Sequence, residues 1–224
     1  LLGQVWIAAD TSDGPTSGAL YMLSSVDPPG SDPQDVHFIR STDSGESWSQ
    51  PIRVNTDDRD AWQWFGTMSV APNGRIDVVW IESLTGTEPS IGEISYSFSS
   101  DGGFTWSNAE AVTPTFDSHV GFPQQNKIGD YFHMRSDLVG ADLAYAATFN
   151  DEQDVFFLRI GDRDCDGNGV GDSEDLSVGD LEDCDGNEIP DRCEVAARPD
   201  SDVNGNGRLD VCEPPPRQGA GRAG

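Results

Sequence analysis

Basic side chains are scarce in this chain: 13 lysines and arginines stand against 40 aspartates and glutamates in 224 residues, and Lys127 is the only lysine. At a formal charge of −27 no basic face is available to meet a phosphate backbone, which excludes nucleic acid as a partner. Long apolar runs are missing too, and none approaches the roughly 18 residues of a membrane-spanning helix. Between residues 162 and 213 there is no aromatic residue and no histidine, and 17 acids face four arginines for a net −13. A segment so poor in apolar surface cannot offset its own chain entropy, so it is expected to fold only with bound metal and disulfides. The chain enters strand-like sequence at Val5–Ala9 without a charged start, apolar stretch or cleavage signal. The expectation is a fragment whose N-terminus, with any signal peptide, is missing. Residues 214–224, rich in Pro and Gly, are expected to form a disordered tail.

What the acidic segment does have is one pattern of oxygen side chains repeated three times at a step of 19 residues. Positions 1, 3, 5, 9 and 12 are Asp164, Asp166, Asn168, Asp172 and Asp175 in the first copy, and Asp183, Asp185, Asn187, Asp191 and Glu194 in the second. In the third they are Asp202, Asn204, Asn206, Asp210 and Glu213. This spacing wraps a loop around one hard cation, and Ca²⁺, which takes six to eight oxygens, is the expected ion. Position 6 is Gly169 in the first copy and Gly207 in the third, where a sharp turn is needed. The second copy has Glu188 there and is expected to bend less easily.

These copies resemble the calcium loops of thrombospondin type 3 repeats and, more loosely, those of dockerins, which resemble EF-hand loops. Only seven residues separate position 12 of one copy from position 1 of the next (176–182 and 195–201), room for about two helical turns. The thrombospondin-like reading, with little regular structure, is therefore preferred. The dockerin reading would imply a cohesin partner.

The cysteines follow the same register. Cys165 and Cys184 occupy position 2 of the first two copies, and Cys193 and Cys212 occupy position 11 of the last two. The absent cysteines, at Glu174 and Val203, are the two whose partners would lie beyond the array if position 2 of each copy joined position 11 of the next. That rule gives Cys165–Cys193 and Cys184–Cys212, with the pairing of like positions as the next choice among three connectivities. A zinc site is the competing use, disfavoured by the lack of histidine and the oxygen-rich flanks. Disulfides with calcium imply a secreted or cell-surface protein.

The first 160 residues read as β-structure with an internal repeat. The strand Asp35–Ser41 recurs as Glu93–Ser99 and as Asp154–Ile160, each preceded by an apolar strand (Ala19–Ser25, Ile76–Ile81, Leu143–Ala147). Two copies run into matching turns 58 residues apart, Ser41–Trp48 and Ser99–Trp106. Each turn has Ser, Asp, Gly, Ser/Thr and Trp at the same places, so Asp43 and Asp101 can accept backbone N–H bonds, Gly45 and Gly103 can supply positive φ, and Trp48 and Trp106 can pack under the turn. These turns resemble the Asp boxes of BNR repeats in sialidase-like β-propellers. The fold expected is all-β: a partial propeller of about three four-stranded blades over residues 1–160, three calcium loops over 161–213, then the tail. Three blades do not close a ring of four to eight.

The resemblance also implies where chemistry would lie. Asp boxes sit at the rim, so Asp43 and Asp101 are expected to be structural. A central site would draw on the loops 57–65, 116–135 and 82–91. Exo-sialidases use a tyrosine nucleophile, an acid/base aspartate and arginines that grip the substrate carboxylate bidentately. By residue type and loop position, Tyr131, Asp60, Arg59 and Arg135 are the candidates; the alternative for the arginines is ion pairing with Asp57 or Asp137. Trp62 and Trp64 are alternatively blade packing. Three readings follow: part of a secreted exo-α-sialidase-type glycoside hydrolase, a non-catalytic glycan-binding or adhesion protein, or a dockerin-bearing component of a multi-enzyme complex. A glycan or glycoconjugate is the expected partner, with a protein partner for the calcium repeats in the third reading.

Overall fold

The computed structural model describes residues 5–57, 60–84, 90–120, 128–129 and 132–214. The candidates Arg59 and Tyr131, and the tail beyond Pro214, lie outside them. The chain divides into two compact units, Leu1–Gly161 and Asp162–Gly224.

The first unit is all-β and built from three antiparallel sheets. The first runs β1 (Trp6–Ala9), β2 (Leu20–Val26), β3 (Asp35–Ser41) and β4 (Ile52–Arg53) in chain order. The second runs β5 (Gln63–Val70), β6 (Ile76–Ser83), β7 (Ile91–Ser99) and β8 (Glu110–Ala111), with β9 (Phe116–Asp117) on the other end of β7. The third has β10 (His133–Ser136), β11 (Gly140–Ala147) and β12 (Asp154–Gly161). Among the described residues this last sheet has three strands where four were expected.

Side-chain alternation decides how the sheets stack. On β6 every residue is buried, because both its faces are covered. Ile76, Val78 and Trp80 pack with Tyr21, Leu23, Val36 and Phe38 of the first sheet. Val79 and Ile81 point the other way and join Leu143, Tyr145 and Ile160 of the third. A strand rich in Val and Ile suits this two-sided burial. The inner strand β5 lies against both β1 and β10, and Trp6 of the first sheet comes within 6.2 Å of His133 of the third, ring centroid to ring centroid. The sheets therefore converge at their first strands and fan apart outward, as blades do around an axis.

The second unit has helices α1 (Asp172–Val178) and α2 (Asp191–Ala197), with short 3₁₀ turns at Pro199–Ser201 and Asp210–Cys212. More regular structure is present than the seven-residue spacers suggested. The reason is that both α-helices and the 3₁₀ turn at Asp210 begin at position 9, inside the ligand pattern, so a helix borrows residues from the loop before it. Acids at position 9 then sit in the first turn, where the helix dipole favours negative charge. Cys165 is bonded to Cys193 and Cys184 to Cys212, with Cα–Cα separations of 5.8 and 6.0 Å, as the position rule gives.

Candidate functional site

The three loops of the second unit share one hydrogen-bond skeleton. The carboxylate at position 1 gathers backbone amides as the chain winds past it. Asp164 accepts from Gly167 (2.7 Å), Asn168 (3.1 Å) and Gly169 (2.9 Å). Asp183 accepts from Gly186 (2.8 Å), Asn187 (3.2 Å) and Glu188 (2.8 Å), and Asp202 from Asn206 (3.1 Å) and Gly207 (2.6 Å). The asparagine at position 5 accepts from the amide at position 7 in each copy: Val170, Ile189 and Arg208. The aspartate at position 9 accepts from position 2: Cys165 to Asp172, Cys184 to Asp191, and Val203 to Asp210. Desolvation alone would raise the Asp183 carboxyl, but the amides of Glu188, Gly186 and Asn187 outweigh it and hold the group below its ordinary value.

This winding draws the remaining oxygens together. In the first loop Asn168 Nδ2 donates to Asp175 Oδ2 at 3.0 Å, closing position 5 on position 12. In the third, Asn204 Nδ2 donates to Glu213 at 2.6 Å and Asn206 Nδ2 donates to the same carboxylate. The second loop differs. Glu194 is 4 % exposed, and its Oε1 accepts from Arg198 Nη2 at 2.8 Å. Its Oε2 is buried with no hydrogen-bond partner. Asp185 is pushed upward by desolvation and by the charges of Glu194 and Asp183. Asp172, Asp175, Asp191 and Asp202 are buried as well. The donor set is all oxygen, which suits a hard divalent cation, and the orphaned Glu194 oxygen is the place where such an ion is most needed. The cysteine sulfurs near Asp172 and Asp191 are spent in disulfides and offer no thiolate to zinc.

Glycine at position 6 has φ of 86° (Gly169) and 84° (Gly207), and Glu188 takes φ 66° in the same place. The sequence expectation of a harder bend at Glu188 becomes a specific conformation: a left-handed turn that a β-carbon disfavours.

The two Asp boxes are closed by matching bonds. Asp43 Oδ1 accepts from the Ser41 hydroxyl (2.7 Å) and the Ser47 amide (2.9 Å), and the Ser41 hydroxyl oxygen accepts from Gly45 N–H (2.9 Å). Asp101 Oδ1 accepts from the Ser99 hydroxyl (2.8 Å) and the amides of Phe104 and Thr105 (2.9 Å each), and the Ser99 hydroxyl oxygen accepts from Gly103 N–H (2.9 Å). Hydrogen bonds from the Ser47 hydroxyl and amide and from Ser41 pull Asp43 down to about 2. At Asp101 slight burial works upward, but bonds from Thr105 and Ser99 prevail and it too lies at about 2. The second box also reaches its neighbour: Trp106 packs on Phe38 of β3, Arg40 donates to the Gly103 carbonyl at 3.2 Å, and the Arg40 guanidinium covers the Phe104 ring at 3.4 Å.

Of the candidates for a central site, Asp60 and Arg135 are described, and both are exposed. No hydrogen bond or ion pair among the described residues joins them. Asp137 is not the partner of Arg135, because its carboxylate pairs with Arg159 at 2.5 and 3.0 Å. Trp64 packs against Phe65, and Phe65 meets Phe132 edge to face, so Trp64 serves the core. Asp117 accepts from the His119 amide at 2.9 Å in a local turn.

Two polar clusters escaped sequence reading. Where β2 turns into β3 and the chain enters β5, Arg53 lies 3.6 Å from Asp32 and 3.5 Å from buried Asp35, while Asn55 Nδ2 donates to Asp35 (2.6 Å) and Asp57 (2.8 Å). Desolvation and the charges of Asp35 and Asp57 raise the Asp32 carboxyl. On the second sheet, buried Asp77 holds Arg75 at 2.8 and 3.1 Å and accepts from the Tyr96 hydroxyl at 2.7 Å. Arg75 then donates to the carbonyls of Asp137, Leu138 and Gly140 in the third sheet. Both clusters join residues far apart in sequence, and no local pattern announces them.

No family model matches the chain, and no curated protein matches it. Solved structures similar to it include the Hadza microbial sialidase Hz136, at 16 % identity over 62 % of this chain and 32 % of that one, with a TM-score of 0.43. A protein of unknown function from Dyadobacter fermentans is 16 % identical over 71 % of this chain and 37 % of its own, with a TM-score of 0.44. A leech intramolecular trans-sialidase, in complex with 2,7-anhydro-Neu5Ac, is 15 % identical over 69 % of this chain and 24 % of its own, with a TM-score of 0.37. The chain thus spans between 24 % and 37 % of the length of these structures. No helix among the described residues is long and apolar enough to cross a membrane.

Proposed function

We propose that the second unit is a Ca²⁺-dependent module of a secreted or cell-surface protein, and that the three sheets belong to a sialidase-like BNR propeller directed at glycans. The observation that carries the calcium reading is the buried, unpartnered Oε2 of Glu194, at position 12 of a loop of oxygen side chains. Arg198 pairs with Oε1 of this carboxylate, but the second oxygen, buried without a partner, costs about 1 to 3 kcal/mol, and a divalent ion would offset that cost. The ligands would be the fifteen oxygen residues named above, with Asp164, Asp183 and Asp202 organising each loop. The glycan reading is supported by the two Asp boxes with their matched hydrogen bonds. Calorimetric titration of the disulfide-intact chain tests the metal: at least two Ca²⁺ sites are expected, and Glu194→Gln should remove or weaken one. Equal heats for both proteins would refute the assignment.

For the propeller, glycan binding is the first reading and glycoside hydrolysis the second; Asp60 and Arg135, the two catalytic candidates among the described residues, are exposed and share no hydrogen bond or ion pair there. Hydrolysis of sialosides by the chain, lost in Arg135→Ala, would reverse that order. The helices that open at position 9 favour a second reading of the C-terminal unit as a dockerin-like docking module. Calcium-dependent capture by a cohesin domain would support it.

A further inference from the structure

Position 3 is the one ligand place at which the third loop differs from both others: it is Asp166 and Asp185 in the first two and Asn204 in the third. In all three the side-chain oxygen has the same task. It accepts from the amide at position 5, that of Asn168 at 3.1 Å, Asn187 at 3.2 Å and Asn206 at 3.1 Å. An aspartate would therefore fit at this place with the chain unmoved. It would also level the charge, because Asp202, Asp210 and Glu213 are three carboxylates against four in each of the other loops.

Asn204 is followed by Gly205, and a glycine leaves its own nitrogen unhindered for attack on the asparagine side chain. Four such Asn-Gly pairs occur, at 73–74, 168–169, 204–205 and 206–207. Three are guarded. The Gly169 amide donates to Asp164 at 2.9 Å and the Gly207 amide to Asp202 at 2.6 Å, charge-assisted bonds that hold the proton on the nitrogen. Gly74 is buried, and its amide donates to the Ala71 carbonyl at 2.9 Å. Gly205 has the weakest hold: its amide donates to the neutral Asp202 carbonyl at 3.3 Å, whereas its counterparts Gly167 and Gly186 donate to carboxylates at 2.7 and 2.8 Å. Asn204 and Gly205 are both exposed, and beyond its chain neighbours no atom lies within 4 Å of where a β-carbon on Gly205 would stand.

We infer that Asn204 is a site of spontaneous deamidation and that its aspartyl product completes the third loop as a calcium site. The Gly205 nitrogen bonds to Asn204 Cγ and yields its proton to solvent, the Cγ–Nδ2 bond breaks, and the side-chain nitrogen leaves as ammonia from a five-membered imide. Water then opens the imide. Opening at the side-chain carbonyl restores the main chain and leaves an aspartate; opening at the main-chain carbonyl leaves an isoaspartate with a longer backbone. The net change is one water consumed and one ammonia released. Asn204 Nδ2 now donates to Glu213 at 2.6 Å, and in the aspartyl product an oxygen takes its place, so two carboxylates meet and call for a cation between them. Ligand charge is one of the terms that set calcium affinity. The gain in affinity rests on the calcium reading of this unit, whereas the conversion does not.

The test has two readouts. The oxidised full chain is incubated with Ca²⁺ and digested, and mass spectrometry follows the four asparagines with aspartyl and isoaspartyl peptides separated. Asn204 should convert ahead of Asn73, Asn168 and Asn206 and yield the aspartyl form. An Asn204 that persists as long as the other three, or that yields isoaspartate alone, would overturn the inference. In calorimetric titration, Asn204→Asp, its fold checked by circular dichroism, should bind Ca²⁺ severalfold more tightly at one site and leave the other sites unchanged. Calcium heats in the wild type without that gain would overturn the inference alone. No calcium heat from either protein would overturn the completed loop together with the calcium reading, and the mass measurement tells the two failures apart.

Discussion

Trp106 meets Phe38 edge to face at 5.1 Å, which ties the end of the second Asp box to the middle of the preceding sheet. The box is therefore a seam between sheets as well as a hairpin turn. Gly103 sits in that seam at φ 81°, with no room for a β-carbon beside the Phe38 ring. Gly103→Ala should cost about 1 kcal/mol for the backbone and about 1 to 3 kcal/mol more for the clash. Denaturant unfolding checks this, and the cost should shrink when Phe38→Leu is made first, since the two sites share one space. Simple additivity would count against a shared seam.

The Asp boxes should titrate visibly. Asp101 is held at about 2 in the folded chain, below the ordinary value of about 3.9 for a free aspartate. A depressed folded value means that its contribution is complete above about pH 4 and is lost as the pH falls toward about 2. Wild-type stability should fall over that window by more than that of Asp101→Ala. At neutral pH the substitution should cost only about 1 kcal/mol, because the Phe104 and Thr105 amides it abandons are exposed to water.

Arg75 bridges the second and third sheets while neutralising buried Asp77. Arg75→Met should leave that carboxylate uncompensated and cost about 3 to 5 kcal/mol, with Arg75→Lys recovering part of it. Tyr96→Phe removes one hydrogen bond to the same carboxylate and should cost about 1 to 3 kcal/mol. Thermal unfolding of the three variants gives the order, and a neutral Arg75→Met would show that the bridge does not bear on stability.

Glu188 adopts φ 66° where the other two loops have glycine. Glu188→Gly should relieve about 1 kcal/mol of backbone strain and tighten calcium binding at the second loop severalfold. Calorimetry distinguishes this from a general effect, because the first and third loops should be unchanged.

Much of this architecture was legible because the signals are local. The boxes declare themselves in eight residues whose side chains bond to one another, and β2, β3, β6 and β7 lie where alternation and Val/Ile content place them. The disulfides followed from which repeat positions lack cysteine. Longer-range features were hidden. Asp77 reads as a polar interruption in a strand until Arg75 and Tyr96 converge on it, and Asp32, Asp35 and Asn55 meet only once β3 pairs with β4. The helices at Asp172 and Asp191 were obscured because the same residues were counted as loop ligands. The central candidates were chosen by residue type, and Asp60 and Arg135 do not meet.

In the proposed reading, residues 162–213 owe their fold to calcium. Amide hydrogen exchange on the oxidised full chain, with and without Ca²⁺, measures this residue by residue. The amides of Gly167, Gly186 and Glu188 and those of both helices should exchange much faster after chelation, while the β6 and β7 amides in the core of the sheets keep their protection. Identical exchange across the second unit with and without Ca²⁺ would contradict it.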